Sequence, residues 1–156
     1  MIQILKEIKP HVSLQLAMNI ANTEACLSGS PCVEPFHILL AILNIVDDSY
    51  AQAAELIDLE PQEIKVIVEM AAQCRSLLNI SDKEITVVRR ALHQILRKRE
   101  PGPMQALECS TESTYLLHKA ARRGLREGFD ELNLAFVLQE LLANLPEEVA
   151  PFFRTA

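Results

Sequence analysis

Cys32 and His37 stand five residues apart, with Glu34 between them. A thiol beside an imidazole can be drawn into a thiolate nucleophile. The competing expectation is structural: His37 sits at the start of an apolar helix, where a hydrogen bond to its own backbone accounts for it. That structural role is the favoured one. The other cysteines, Cys26, Cys74 and Cys109, form no Cys-x-x-Cys pair, and His11, His93 and His118 are scattered. Zinc sites draw their ligands from pairs at short spacing, so no metal site is expected. No Gly-x-x-x-x-Gly-Lys-[Ser/Thr], Gly-x-Ser-x-Gly or His-Glu-x-x-His occurs. A phosphate cradle needs those glycines and that lysine. The chain is therefore expected to be no enzyme and to hold no cofactor; any ATPase would lie on a separate domain.

The residues that could hold such chemistry are carried by helical elements. The chain has 156 residues, 49% hydrophobic and only 4% aromatic, with four glycines and no tryptophan. This length suits one domain that buries a sizeable core. No apolar run reaches the roughly 18–20 residues of a membrane span. The first residues carry Glu7 and lack a basic stretch before an apolar one, so no secretory leader is expected. With nothing to indicate secretion, the four cysteines are expected as reduced thiols in a cytoplasmic protein.

Leu14, Ala17, Met18, Ala21 and Ala25 recur at helical spacing, predicting a helix over Ser13–Leu27 that Gly29 breaks. Pro35 suits the first position of the next helix. The run Phe36–Leu43 is apolar nearly all round, so this helix should be central and buried. Short helices are expected at Ala51–Ile57 and from Pro146, and a longer one from Pro61. Ser81 and Glu84 fit a capping box ahead of the stripe Ile85, Val88, Leu92 and Ile95. Glu100–Pro103 reads as a linker. Ser110–Arg123 and Asn133–Ala143 complete an all-α set, and no segment shows sustained strand alternation.

Shifting the chain by 99 residues lays Ala21 on Ala120, Gly29 on Gly128, Val33 on Leu132, Leu39 on Leu138 and Leu43 on Leu142. Both segments run amphipathic helix, glycine turn, short link, apolar helix, which favours an internal duplication. The run Val33–Leu43 resembles the signature of the Clp N-terminal repeat, in which a β-branched residue, a short link and a histidine precede a Leu-rich helix. Ala17, Ala21, Ala25 and Gly29 match the alanine-spaced first helix of that family. The likeness covers most of residues 10–78. The second copy, 110–156, departs from it: Phe136 replaces the histidine, and Gln139 and Glu140 interrupt the apolar run. The lead-in Leu5–Pro10 is similar to the start of the ClpV-type domain of type VI secretion.

The resemblance implies a single compact domain over 1–156, a bundle of about eight helices built from two pseudo-twofold-related repeats. Repeat one would span about 10–78, an inserted helix and linker about 79–109, and repeat two about 110–156. Such domains sit ahead of Clp AAA+ ATPase rings, where they dock adaptors and recruit substrates; a few occur without an ATPase module. Some bind phosphorylated arginine through a glutamate just before the signature histidine. Phe36 and Ala135 stand there instead, so no phosphoarginine recognition is expected.

The net charge of −6 is unevenly spread. Residues 81–126 hold ten Lys and Arg against five acids, and the remainder five against sixteen. A basic segment over 83–126 can neutralise phosphates, which makes a nucleic-acid-binding helical protein the alternative function. It lacks aromatic residues for base stacking between most of its arginines, which disfavours that alternative. Segregation of this kind also suits docking to an acidic protein, including by a stand-alone regulatory module. The expected partner is a substrate protein, an adaptor helix or peptide, or a Clp AAA+ ring, with no membrane involved. The candidate protein-binding residues are Leu14, Met18, Leu27, Arg89 and Arg90; core packing competes for the first three. His37, Gly29 and Gly128 form the structural signature.

Overall fold

The computed structural model describes residues 8–47, 58–97, 99–145, 147 and 149–153. Six α-helices lie among them, so the fold is all-α as composition predicts. The short helix expected at Ala51–Ile57 and the start at Pro146 fall outside the described residues. No helix among the described residues is long and apolar enough to cross a membrane.

Helix α1 spans Val12–Leu27. His11 caps it, its Nδ1 accepting the Ser13 N–H at 3.2 Å and so satisfying one of the free donors of the first turn. At the far end Ser28 Oγ donates to the Glu24 carbonyl at 2.8 Å. Gly29 turns into the left-handed region at φ +67°, and a Cβ there would collide with the Glu100 carbonyl oxygen. Only glycine meets both demands. Helix α2, Pro35–Val46, opens on Pro35 and is the buried centre of the molecule. Every side chain from Ile38 to Leu43 is fully enclosed.

Helix α3, Pro61–Leu78, lays Ile67, Met70, Ala71, Cys74 and Leu78 against the core and ends at Asn79, φ +53°. Helix α4, Asp82–Leu96, begins with the predicted capping box: Ser81 Oγ accepts the Glu84 N–H at 3.2 Å. Its stripe of Ile85, Val88 and Leu92 is buried, whereas Ile95 is only half-buried. Helix α5 spans Thr111–Arg126 behind the Ser110 cap, and α6 spans Leu134–Ala143 behind Asn133. Helix α3 packs across α1, α2 and α6, and α4 packs on α2.

Two features escape helical periodicity. The first is a minimal sheet: β1, Lys9–Pro10, runs parallel to β2, Glu131–Leu132, and Val33 bridges Cys109 in the same sense. Two-residue pairings are too short to leave an alternating pattern. The second is Glu100–Pro103, expected as a linker. It opens a strap tied to α1 instead. Gly102 N–H donates to the Cys26 carbonyl at 2.8 Å. Asn22 holds the strap from both sides, donating to the Gln105 carbonyl and accepting from the Leu107 N–H, each at 2.8 Å. After α6, Phe152 and Phe153 in a short 3-10 turn pack back against the core.

Candidate functional site

His37 is 3% exposed, and both ring nitrogens have partners. Nδ1 accepts the Glu34 N–H at 2.9 Å, and Nε2 lies 3.1 Å from Ser28 Oγ. Burial lowers its pKa to about 4, so the ring stays neutral near pH 7. It joins the start of α2 to the end of α1. Cys32 faces elsewhere, its Sγ donating to Glu34 Oε1 at 3.2 Å. Burial pushes the Cys32 thiol up, and the bond to Glu34 and its charge push it further. A thiol held protonated is a poor nucleophile. Burial also raises Cys109 and lifts Cys74 to about 12. No group of His, Cys, Asp or Glu among the described residues has the arrangement of a metal site.

Several basic residues of the 83–126 segment are tied to acids inside the fold. Arg89 Nε meets Asp47 Oδ2 at 2.6 Å with both side chains mostly buried. Arg97 Nη2 bonds both oxygens of Glu24 at 3.1 Å, and His93 adds a contact at 3.3 Å. Arg123 holds Glu140 at 2.9 Å. Arg89 therefore fastens α4 to the end of α2, while Arg90 is exposed beside it. Leu14 and Met18 lie in the core, and Leu27 is half-buried at the end of α1. The structure does not bring these five residues together on one surface.

A different surface gathers apolar and cationic groups. The start of α2, the first half of α5 and the end of α6 enclose a groove of about 480 Å³, with Phe36, Tyr115, Leu116 and Leu141 supplying apolar wall. Tyr115 is 61% exposed, and Lys119 Nζ lies 4.7 Å from the centre of its ring. Lys119 is shared with an adjoining depression of about 600 Å³ lined by Arg122, Leu125, Arg126 and Glu140. Tyr115, Lys119, Arg122 and Arg126 recur at helical spacing, so one face of α5 carries an aromatic ring followed by three cations. Among the described residues Arg122 and Arg126 make no ion pair. The groove sets Lys119 and Glu112 beside its apolar wall, and the adjoining depression adds Arg122 and Arg126. The signal for it in the sequence is Tyr115, a large ring on the outer face of an otherwise charged helix; the buried face was the stronger pattern.

Compared with protein-family models, with curated proteins and with solved structures, the chain matches none.

Proposed function

We propose that this chain is a non-enzymatic docking module, akin to the Clp N-terminal repeat, that captures a segment of a substrate or adaptor protein. It would deliver that segment to a Clp-type AAA+ unfoldase, in cis or in trans, in the cytoplasm. The observation that carries this reading is the groove beside Tyr115, where that ring stands exposed next to the half-buried Phe36 and the cation of Lys119: accessible apolar groups rimmed by charge mark interaction sites. Phe36, where a phosphoarginine reader would place a carboxylate, contributes apolar wall to that groove instead.

The reading includes two related halves, and the element boundaries support it. Helices α1 and α5 start and end 99 residues apart, at Val12 and Thr111 and at Leu27 and Arg126. Helices α2 and α6 start at Pro35 and Leu134, again 99 apart. The two bridges are counterparts as well: Pro10 pairs with Leu132, and Cys109 pairs with Val33. Each half lends the other one strand, the exchange a twofold axis would produce. Gly29 and Gly128, also 99 apart, both adopt positive φ, +67° and +85°.

Quantitative mass spectrometry of proteins retained by the immobilised chain from nuclease-treated extract tests the function. A Clp-type ATPase, or a client that such a ring unfolds, is expected in near-stoichiometric amount. Retention of nucleic acid alone before nuclease treatment, with no such protein after it, would overturn the reading.

A further inference from the structure

We infer that residues 99–108 form a releasable strap. It opens as a unit while the helices stay folded, and in opening it uncovers the face of α1 around Asn22 and Cys26. This device goes beyond the docking function and stands without it.

The strap follows α4 and crosses the second half of α1 before it reaches the bridge at Cys109. It buries little side chain. Pro101, Pro103, Met104, Gln105 and Ala106 are exposed, Met104 by 62%. Of its residues only Leu107 packs partly against the core. Apolar burial scales with the area removed from water, so it contributes little here. The contact with α1 is backbone on backbone instead. A Cβ on Gly102 would stand 3.8 Å from the Gly29 Cα, and one on Gly29 would collide with the Glu100 carbonyl oxygen.

Four hydrogen bonds hold this stretch to α1, and all four fall on two residues. Gly102 N–H donates to the Cys26 carbonyl at 2.8 Å, and Cys26 Sγ donates to the Gln105 carbonyl at 3.3 Å. The Asn22 amide supplies the other two, to Gln105 and from Leu107. A segment held by a few polar contacts near solvent, with little apolar burial, opens locally at lower cost than the whole domain. Its ends are fastened separately: Arg97 holds Glu24 before it, and Cys109 pairs with Val33 after it. Release therefore moves a loop with fixed ends. Pro101 and Pro103 fix their own φ and have no N–H to donate, so the released loop stays stiff and recloses on the same contacts. Beneath it Cys26 is 2% exposed, so opening bares its thiol. Cys74 is fully enclosed on the core face of α3 and is bared only when helices separate.

The test combines native-state amide hydrogen exchange with iodoacetamide labelling of the intact 156-residue chain, both resolved by residue. The Gly102 and Leu107 amides should exchange at least roughly tenfold faster than those in the middle of α2, with little dependence on low concentrations of urea. Cys26 should label at least roughly tenfold faster than Cys74. Asn22→Ala removes two of the four bonds while suiting the helix interior, and should raise both Cys26 labelling and Gly102 exchange roughly tenfold or more. Cys74 and the α2 amides should stay within about twofold of wild type. Gln105→Ala, which keeps the only group of that residue the strap uses, should change neither. Strap amides that share the urea dependence of α2 would overturn the inference, because opening would then be global unfolding. So would equal acceleration of Cys26 and Cys74 by Asn22→Ala, or a Cys26 rate that Asn22→Ala leaves unchanged. The wild-type exchange pattern decides the matter even if the variant fails to fold.

Discussion

Acidification should destabilise the fold through His37, by an amount that follows from its burial. The ring is enclosed, accepts the Glu34 N–H through Nδ1 and has its pKa lowered to about 4. In the unfolded chain the ordinary value is about 6.5. The unfolded state therefore takes up a proton as pH falls below about 6.5, while the folded state does so only near 4. Unfolded molecules bind more protons across this window, so stability falls with falling pH. The full effect is about 3 kcal/mol, reached below pH 4, and about 2 kcal/mol of it is lost between about pH 7.5 and pH 5. Glu34 faces the ring and its charge opposes part of the shift. Urea unfolding of wild type and His37→Gln at a series of pH values isolates this contribution from the carboxylates that titrate lower. The variant should be less stable at neutral pH, and its stability should fall less steeply between pH 6.5 and 5. Identical slopes in the two proteins would refute the reasoning. So would a His37 ring that titrates near 6.5 by NMR in the folded protein.

Gly29→Ala combines a left-handed backbone with a collision against Glu100, and should cost about 2–4 kcal/mol in denaturant unfolding. Gly128→Ala meets nothing within 4 Å, so backbone strain alone applies and about 1 kcal/mol is expected. Arg97→Ala leaves Glu24, only 8% exposed, with His93 as its remaining ion-pair partner, and should cost about 1–3 kcal/mol by the same assay. Cys32 should react with iodoacetamide at neutral pH no faster than a free thiol, because burial and Glu34 hold it protonated; rapid labelling would restore a nucleophilic role. Cys74 should label only as the protein unfolds.

The helices are legible because each signal is local. Pro35 and Pro61 open helices, Ser81 and Glu84 form the expected box, and the unbroken apolar run after Phe36 becomes the enclosed α2. The parallel pairings, at Lys9–Pro10 and Val33, join residues far apart in the chain and only one or two long, which no periodicity records. Glu100–Pro103 carries turn residues, but its place is set by Asn22 and Cys26 on α1, tertiary contacts that composition does not register. The candidate surface was the least legible part. Leu14 and Met18 have the spacing of a helix face, but spacing alone does not say whether a neighbour covers that face. Arg89 has the look of a surface cation and is engaged by Asp47, a partner 42 residues away. Tyr115 and Lys119 become informative only once the surface between α5 and α6 is seen to be open.

The account's central claim is that this chain docks a protein segment in the groove between α5 and α6. Backbone amide NMR of the labelled chain, titrated with a helical peptide that carries an apolar stripe at three- and four-residue spacing, tests it most directly. The account predicts shifts concentrated at Phe36, Tyr115, Lys119, Arg122, Leu141 and Asn144. Shifts confined to the arginines of α4, or spread without focus over the surface, would contradict it.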